Sequence, residues 1–262
     1  WIISDLDNKG LLSDAYALYR RRNPNPDVED VQAFRKQYSY YDAAKENTGE
    51  PLETNPVKIK FLGVWDTVGA LGIPIGVLSL VGCPDEEIKE IKSRQFHDVN
   101  LSALVENAFH ALAIDEHRQD YEATLWNSAK KPHRQVEQVW FAGAHTDVGG
   151  GVAGYPLSKI ALAWMQKKAI QCGLELDDSQ LVTITQADNL AEIYDSFGEF
   201  LKGIYAKEHQ RYYRNIGTQS KRFEAIHESV KFRLNADNQY RPQNKVGQHV
   251  SGRREEAKEE KL

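Results

Sequence analysis

Cysteine is scarce: the chain holds Cys83 and Cys172 and no others. They lie far apart with no C-x-x-C spacing, so neither a zinc site nor a disulfide framework is indicated. Two reduced, partly buried thiols are the expectation. A basic excess is missing too. Lys and Arg number 33 against 38 Asp and Glu, for a formal charge of −5 and a pI near 5.9. Such a balance offers no basic face to phosphates, which excludes nucleic acid as the partner. Long hydrophobic runs are absent as well. The longest, ALGIPIGVLSLVGC at 70–83, is too short to span a bilayer and contains Pro74 and three glycines. Residues 1–12 have neither a basic segment nor a sustained apolar one, so no signal peptide is expected. The first residue is Trp1, not Met, and a polar loop follows at once; the expectation is a chain incomplete at its N-terminus.

Several catalytic signatures are also missing. There is no G-x-S-x-G elbow, no P-loop, no H-E-x-x-H and no G-x-G-x-x-G. No metal and no cofactor is called for. Serines stand in LSDAY, VLSLVG and PLSKI, and Ser79 of VLSLVG is the least poor substitute for an elbow. The triple glycine at 149–151 invites a phosphate-binding reading but has no Lys-Ser/Thr after it.

What is present describes a soluble α/β domain. Hydrophobic residues make up 41%, and five Trp with twelve Tyr need a packed interior to offset their ordering entropy. One domain over 1–250 and a charged tail over 251–262 are expected. Residues 13–22 read as the end of a helix stopped by Pro24 and Pro26, and 29–46 as an aromatic, polar helix. A turn-rich linker occupies 47–56. Two runs, VKIKFLGVWD at 57–66 and VEQVWFAGAH at 136–145, turn continuously apolar and then break at glycines, as strands buried on both faces do. Between them Leu101, Leu104, Val105, Ala108 and Leu112 keep helical spacing, which predicts a helix over 101–114. Further helices are predicted over 157–172 and 190–206. Strand–helix alternation argues a parallel sheet flanked by helices.

In such sheets ligands bind beyond the carboxyl ends of the strands. Both apolar runs end there in ionisable groups: Asp66 in VWDTVG, and His145 with Asp147 in FAGAHTDVGGG. Asp66 reads either as a turn-capping carboxylate or as the acid that orients a catalytic histidine. His145 reads as a satisfied polar group or as a general base. Asp147 suits an Asx turn organising the glycine loop. A fallback pairs Asp147 with His227 of AIHESVKFRL, in the chain order Ser, acid, His. His110 reads as a packed or helix-surface residue, and Asp115, Glu116 and Arg118 as helix-end charges or a local ion pair.

At these residues the sequence resembles the α/β-hydrolase-like family that includes the phospholipase effectors of bacterial type VI secretion and related fungal proteins. The matching pieces are FLGVWDTVGALGIP at 61–74, HALAIDEHR at 110–118, VWFAGAHTDVGGG at 139–151, YPLSKIALAWM at 155–165, IHESVKFRL at 226–234 and YRPQN at 240–244. GLLSDAYALYRRR at 10–22 is similar to the stretch that follows the family's nucleophile elbow. The resemblance implies an α/β-hydrolase fold and a serine esterase or lipase acting on acyl esters, with Asp66 as triad acid and His145 as base. The elbow itself is missing from this sequence. A lipid or other acyl-ester substrate, transient contact with a membrane surface, and a secretion-machinery or immunity partner follow from the resemblance. Scarce cysteine and no signal peptide fit a cytoplasmic location, or export without a signal peptide. The residues alone leave a second reading open, a non-catalytic binding or scaffold module derived from a hydrolase.

Overall fold

The computed structural model describes residues 10–19, 29–38, 58–68, 78, 82–93, 101–126, 134–151, 154, 156–217 and 223–245. Its centre is a four-stranded, wholly parallel sheet of β1 (Leu62–Trp65), β2 (Asn107–Ala113), β3 (Gln135–Phe141) and β4 (Glu224–Ile226), in the order β1-β2-β3-β4. Helices flank it, as an α/β-hydrolase-like fold requires. The two apolar runs form β1 and β3.

The segment over 101–114 is the main correction. Instead of a helix it makes a turn and then β2, whose seven residues are all buried. The Ala-rich run NAFHALA satisfies a helical spacing by coincidence, because every one of its positions faces protein rather than one stripe in three or four. Phe109, Ala111 and Ala113 point to one side of the sheet and Ala108 and Leu112 to the other. A buried central strand wants apolar residues throughout, and that demand outweighs the helix propensity of Ala and Leu. The β1–β2 crossover carries instead α1 (Asp85–Ser93), which opens with three acidic residues at its positive end.

On one face, α2 (Ser158–Gln171) covers the sheet with Ile160, Ala161, Met165 and Ala169. Phe109 and Phe141 from the strands meet the Trp164 ring edge-on. Each fully buried Phe or Leu in this layer contributes about 2 kcal/mol through area removed from water. The approach of α2 to β1 depends on Gly63, where an added Cβ would sit 2.6 Å from the sulfur of Met165. The opposite face packs Leu112, Ile114, Trp140 and Ile216 against Val230 of α3 (Glu228–Ala236) and against Tyr240.

The helix predicted over 190–206 is also corrected. After a single turn at Gln186–Asn189, the chain there makes short turns at Ser196–Glu199 and Ile204–Glu208. Thr185 and Asp195 each cap a new start, and Leu201 and Lys202 take positive φ, which no continuous helix admits. Helices at Leu12–Tyr19 and Glu29–Tyr38 agree with the described part of the helices read over 13–22 and 29–46; 20–22 and 39–46 lie outside the described residues. The linker at 47–56, Ser79 and the tail at 251–262 fall outside the described residues, as does most of the apolar stretch at 70–83. Among the described residues no helix is long and apolar enough to cross a membrane.

Candidate active site

Asp66 closes β1. Its backbone sits at φ +40, in the left-handed region that a non-glycine residue adopts only when its surroundings over-determine it. Three contacts do so. The Asp66 N–H donates to the Ala111 carbonyl (2.7 Å), Thr67 N–H donates to Nε2 of His110 (3.0 Å), and Ala113 N–H donates to Asp66 Oδ1 (2.9 Å). The bend swings the carboxylate across the end of β2 toward the end of β3.

There it meets His145. Beyond β3 the chain runs Ala142-Gly143-Ala144 into the short helix His145–Gly149. Nδ1 of His145 lies 2.7 Å from Asp66 Oδ2. The carboxylate is fully buried, while the imidazole is 29% exposed, so one end of the ring is fixed inside and the other is open to a reactant. With Nδ1–H given to Asp66, Nε2 is left as the basic nitrogen; among the described residues it has no hydrogen-bond partner. Tyr121 meets the His145 ring edge-on at 5.4 Å.

The loop that delivers His145 depends on two buried acids. Asp115 accepts from Gly143 N–H (2.7 Å) and from the Tyr240 hydroxyl (3.0 Å). Glu116 accepts from the backbone and side chain of Arg118, from His145 N–H (3.3 Å) and from the Ser196 hydroxyl (2.9 Å). Burial alone would raise the Glu116 carboxyl, but its bonds and charge pairing with Arg118 hold it below its ordinary value. Of Asp115, Glu116 and Arg118, read from sequence as helix-end charges or a local ion pair, Glu116 and Arg118 pair at 2.8 Å, shielded from water, and brace the histidine loop. Glu116→Gln leaves the Arg118 guanidinium buried against a neutral amide. It is expected to cost about 3 kcal/mol in chemical denaturation, as removing one partner of a buried pair does.

The sequence reading missed Arg214. Its guanidinium grips both oxygens of Asp66, Nη1 to Oδ1 at 2.6 Å and Nη2 to Oδ2 at 3.0 Å, with both side chains fully buried. Nη1 also donates to the Ala113 carbonyl (2.7 Å) and Nη2 to that of Tyr121. Burial would raise the Asp66 carboxyl, yet the charge of Arg214 and the bonds from His145 and Arg214 outweigh it and hold Asp66 far below its ordinary value. An arginine 148 positions downstream of its partner, in RYYRNIG, carries no spacing signal that sequence alone could use. His110 lies on β2 rather than on a helix, fully buried, and supports the Asp66 turn through Thr67.

The structure does not bring the fallback residues together. Asp147 points back into its own loop, its Oδ2 accepting from Ala144 N–H (2.9 Å) and Tyr194 N–H (3.0 Å), and burial pushes its carboxyl up. Gly143 makes room for it, since a Cβ there would stand 2.6 Å from that of Asp147. His227 caps α3, accepting from Ser229 N–H, bonding the Ser229 hydroxyl at 2.8 Å and stacking on Phe141. No hydrogen bond joins Asp147 to His227. The described residues contain no cluster of three or more His, Cys, Asp or Glu able to hold a metal ion. A cleft of about 330 Å³ lined in part by His117, Arg211, Tyr213 and Arg241 includes neither Asp66 nor His145.

A family model described as the catalytic domain of the Tle1-like phospholipase effectors of type VI secretion (T6SS) matches residues 3–168, a span holding both Asp66 and His145. Curated proteins give no match. Among solved structures, one titled as an uncharacterized protein from Pseudomonas aeruginosa is similar at 21% identity over 59% of this chain, with a TM-score of 0.32. The chain spans only 23% of that protein's length.

Proposed function

The chain belongs to the Tle1-like phospholipase effector family of type VI secretion, and on that premise we propose that Asp66 and His145 are the acid and base of a Ser-His-Asp triad that cleaves carboxylic esters of phospholipids. The 2.7 Å bond between a fully buried carboxylate and a half-open imidazole is the observation that carries this reading. A serine Oγ attacks the ester carbonyl as His145 Nε2 takes its proton. The imidazolium that forms is stabilised by Asp66 through Nδ1–H, and Nε2 returns the proton to the departing alcohol oxygen. Water then cleaves the acyl-enzyme along the same path, releasing the fatty acid and restoring the serine.

The nucleophile belongs to this proposal as well. No G-x-S-x-G occurs among the 262 residues, so the serine is assigned to an elbow outside them. Action on lipid at a membrane surface, export by the secretion machinery and neutralisation by an immunity partner extend the same reading. The missing elbow is also the one feature that favours a non-catalytic module derived from a hydrolase. A fluorophosphonate probe decides between the two. The full-length protein is expected to be labelled at one serine outside residues 1–262 and to release fatty acid from phosphatidylethanolamine–phosphatidylglycerol vesicles. Absence of labelling together with absence of release supports the module; labelling within 1–262 overturns the assignment of the nucleophile.

A further inference from the structure

The cleft of about 330 Å³ opens beyond the carboxyl end of β2, where Asp115 and His117 follow the strand. Parallel sheets bind ligands at that end, and small-molecule pockets begin at about this volume. Its most telling resident is Arg241, in the run YRPQN, which takes no part in the Asp66–His145 pair. Nη1 of Arg241 donates to the carbonyls of Leu234 (3.3 Å), Asp237 (3.0 Å) and Tyr240 (2.7 Å) at the end of α3. Neutral acceptors thus hold the guanidinium in place without cancelling its charge. The Asp237 carboxylate is turned to Arg233 instead. Among the described residues, Nε and Nη2 of Arg241 have no hydrogen-bond partner and no carboxylate pairs with it.

A second guanidinium lines the same cleft. Arg211 pairs through Nη2 with Asp195 at 2.6 Å, and both side chains remain well exposed. Asp195 also accepts from Gly198 N–H through Oδ1 (3.0 Å). The other acid of the cleft, Asp115, is buried, its Oδ2 taken by Gly143 N–H and the Tyr240 hydroxyl. One fixed cation is left over, beside another whose partner lies in water. Gln239 and Gln243 add neutral amides.

We propose that this cleft binds a phosphate diester, the chemistry of a phospholipid headgroup, with Arg241 as the fixed cation and Asp195 competing with the ligand for Arg211. The planar fork of a guanidinium matches two phosphate oxygens, and a fork already clamped loses little freedom on binding. The amides of Gln239 and Gln243 suit the hydroxyls of a glycerol. The choice of a phosphate diester over a carboxylate rests on the phospholipid reading. The site also borders the base: Asp115, which forms part of it, anchors the loop that delivers His145 through Gly143.

The test is isothermal titration calorimetry of glycerophosphorylglycerol with the full-length protein at low salt. This probe lacks a carboxylic ester, so the proposed triad cannot consume it. A single site with Kd below about 1 mM is expected. Arg241→Lys keeps a cation for the carbonyls of α3 but loses the fork, and should weaken binding about tenfold. Arg211→Gln removes an exposed cation and leaves Asp195 to repel the ligand, also about tenfold. Asp195→Asn keeps an oxygen for Gly198 N–H and frees Arg211, so it should tighten binding about threefold or more, which a merely structural role of Asp195 does not produce. No binding, affinity unchanged in both Arg211→Gln and Asp195→Asn, or acetate bound as tightly as the diester overturns the inference. The same order of variants in cosedimentation with ether-linked phosphatidylglycerol vesicles identifies a lipid headgroup as the source; that order with the soluble probe alone identifies a free phosphodiester. Fatty-acid release without diester binding removes this inference and leaves the triad. Diester binding without fatty-acid release removes the triad reading and leaves the site.

Discussion

His145→Ala is expected to lower kcat on phospholipid vesicles by about 10⁴-fold in the full-length protein, with circular dichroism and melting temperature little changed. The imidazole is partly exposed, so its removal opens a gap toward solvent rather than a closed cavity in the core. The loss corresponds to about 5 kcal/mol of transition-state stabilisation, the size expected when a general base is removed from a group that acts as a unit. Unit behaviour gives a sharper form of the same prediction. Asp66→Asn in the His145→Ala background should cost almost nothing further in rate, although it strands Arg214 and lowers stability. His227→Ala provides the contrast. It removes a helix cap worth about 1 kcal/mol and a stacking partner of Phe141, and turnover should stay within a few-fold of wild type. A His227→Ala variant that loses activity while remaining folded, beside an active His145→Ala, would transfer the base to His227 and sink the assignment.

Strands β1 and β3 could be read from the sequence because a strand covered on both faces needs an unbroken apolar run, and each such run here ends in ionisable residues before a glycine. That local pattern is enough to nominate Asp66 and His145, and the fold sets them 2.7 Å apart. The strand between them was misread because its Ala and Leu residues suit a helix; what makes NAFHALA a strand is Phe109 and Leu112 each finding a covered face, and no local window contains that information. Asp115, Glu116 and Arg118 were legible as helix-end charges or a local ion pair, but Glu116 was not legible as the brace of the histidine loop, which needs Ser196 and the His145 backbone. Arg214 was invisible for the strongest version of this reason. Its partner lies across the whole second half of the fold, and an arginine in a polar stretch is ordinarily a surface residue.

The other large effect concerns stability in acid. Burial holds His110 and His227 at about 4, well under the ordinary histidine value, so both are neutral in the folded protein at pH 5. In the unfolded chain each takes a proton near pH 6.5. Between pH 6.5 and 4 the unfolded state therefore binds more protons than the folded one, and unfolding free energy must fall as pH falls through that window. Each histidine contributes a loss of roughly 3 kcal/mol across it. Asp115 and Asp147, pushed up by burial, act in the opposite sense and blunt part of the fall. Asp66 and Glu116, held down by their arginines, give up their stabilisation only below the ordinary carboxylate range. Urea denaturation from pH 7 to pH 4 should thus show a decline that begins near pH 6.5, before any depressed carboxylate titrates. His110→Gln keeps an acceptor for Thr67 N–H, and His227→Asn keeps a helix cap; each should flatten the decline by roughly half. A slope unchanged in both variants would mean that these two rings are already protonated in the folded protein. The Thr67 N–H could not then be donating to His110, and the turn that aims Asp66 at His145 would need another support.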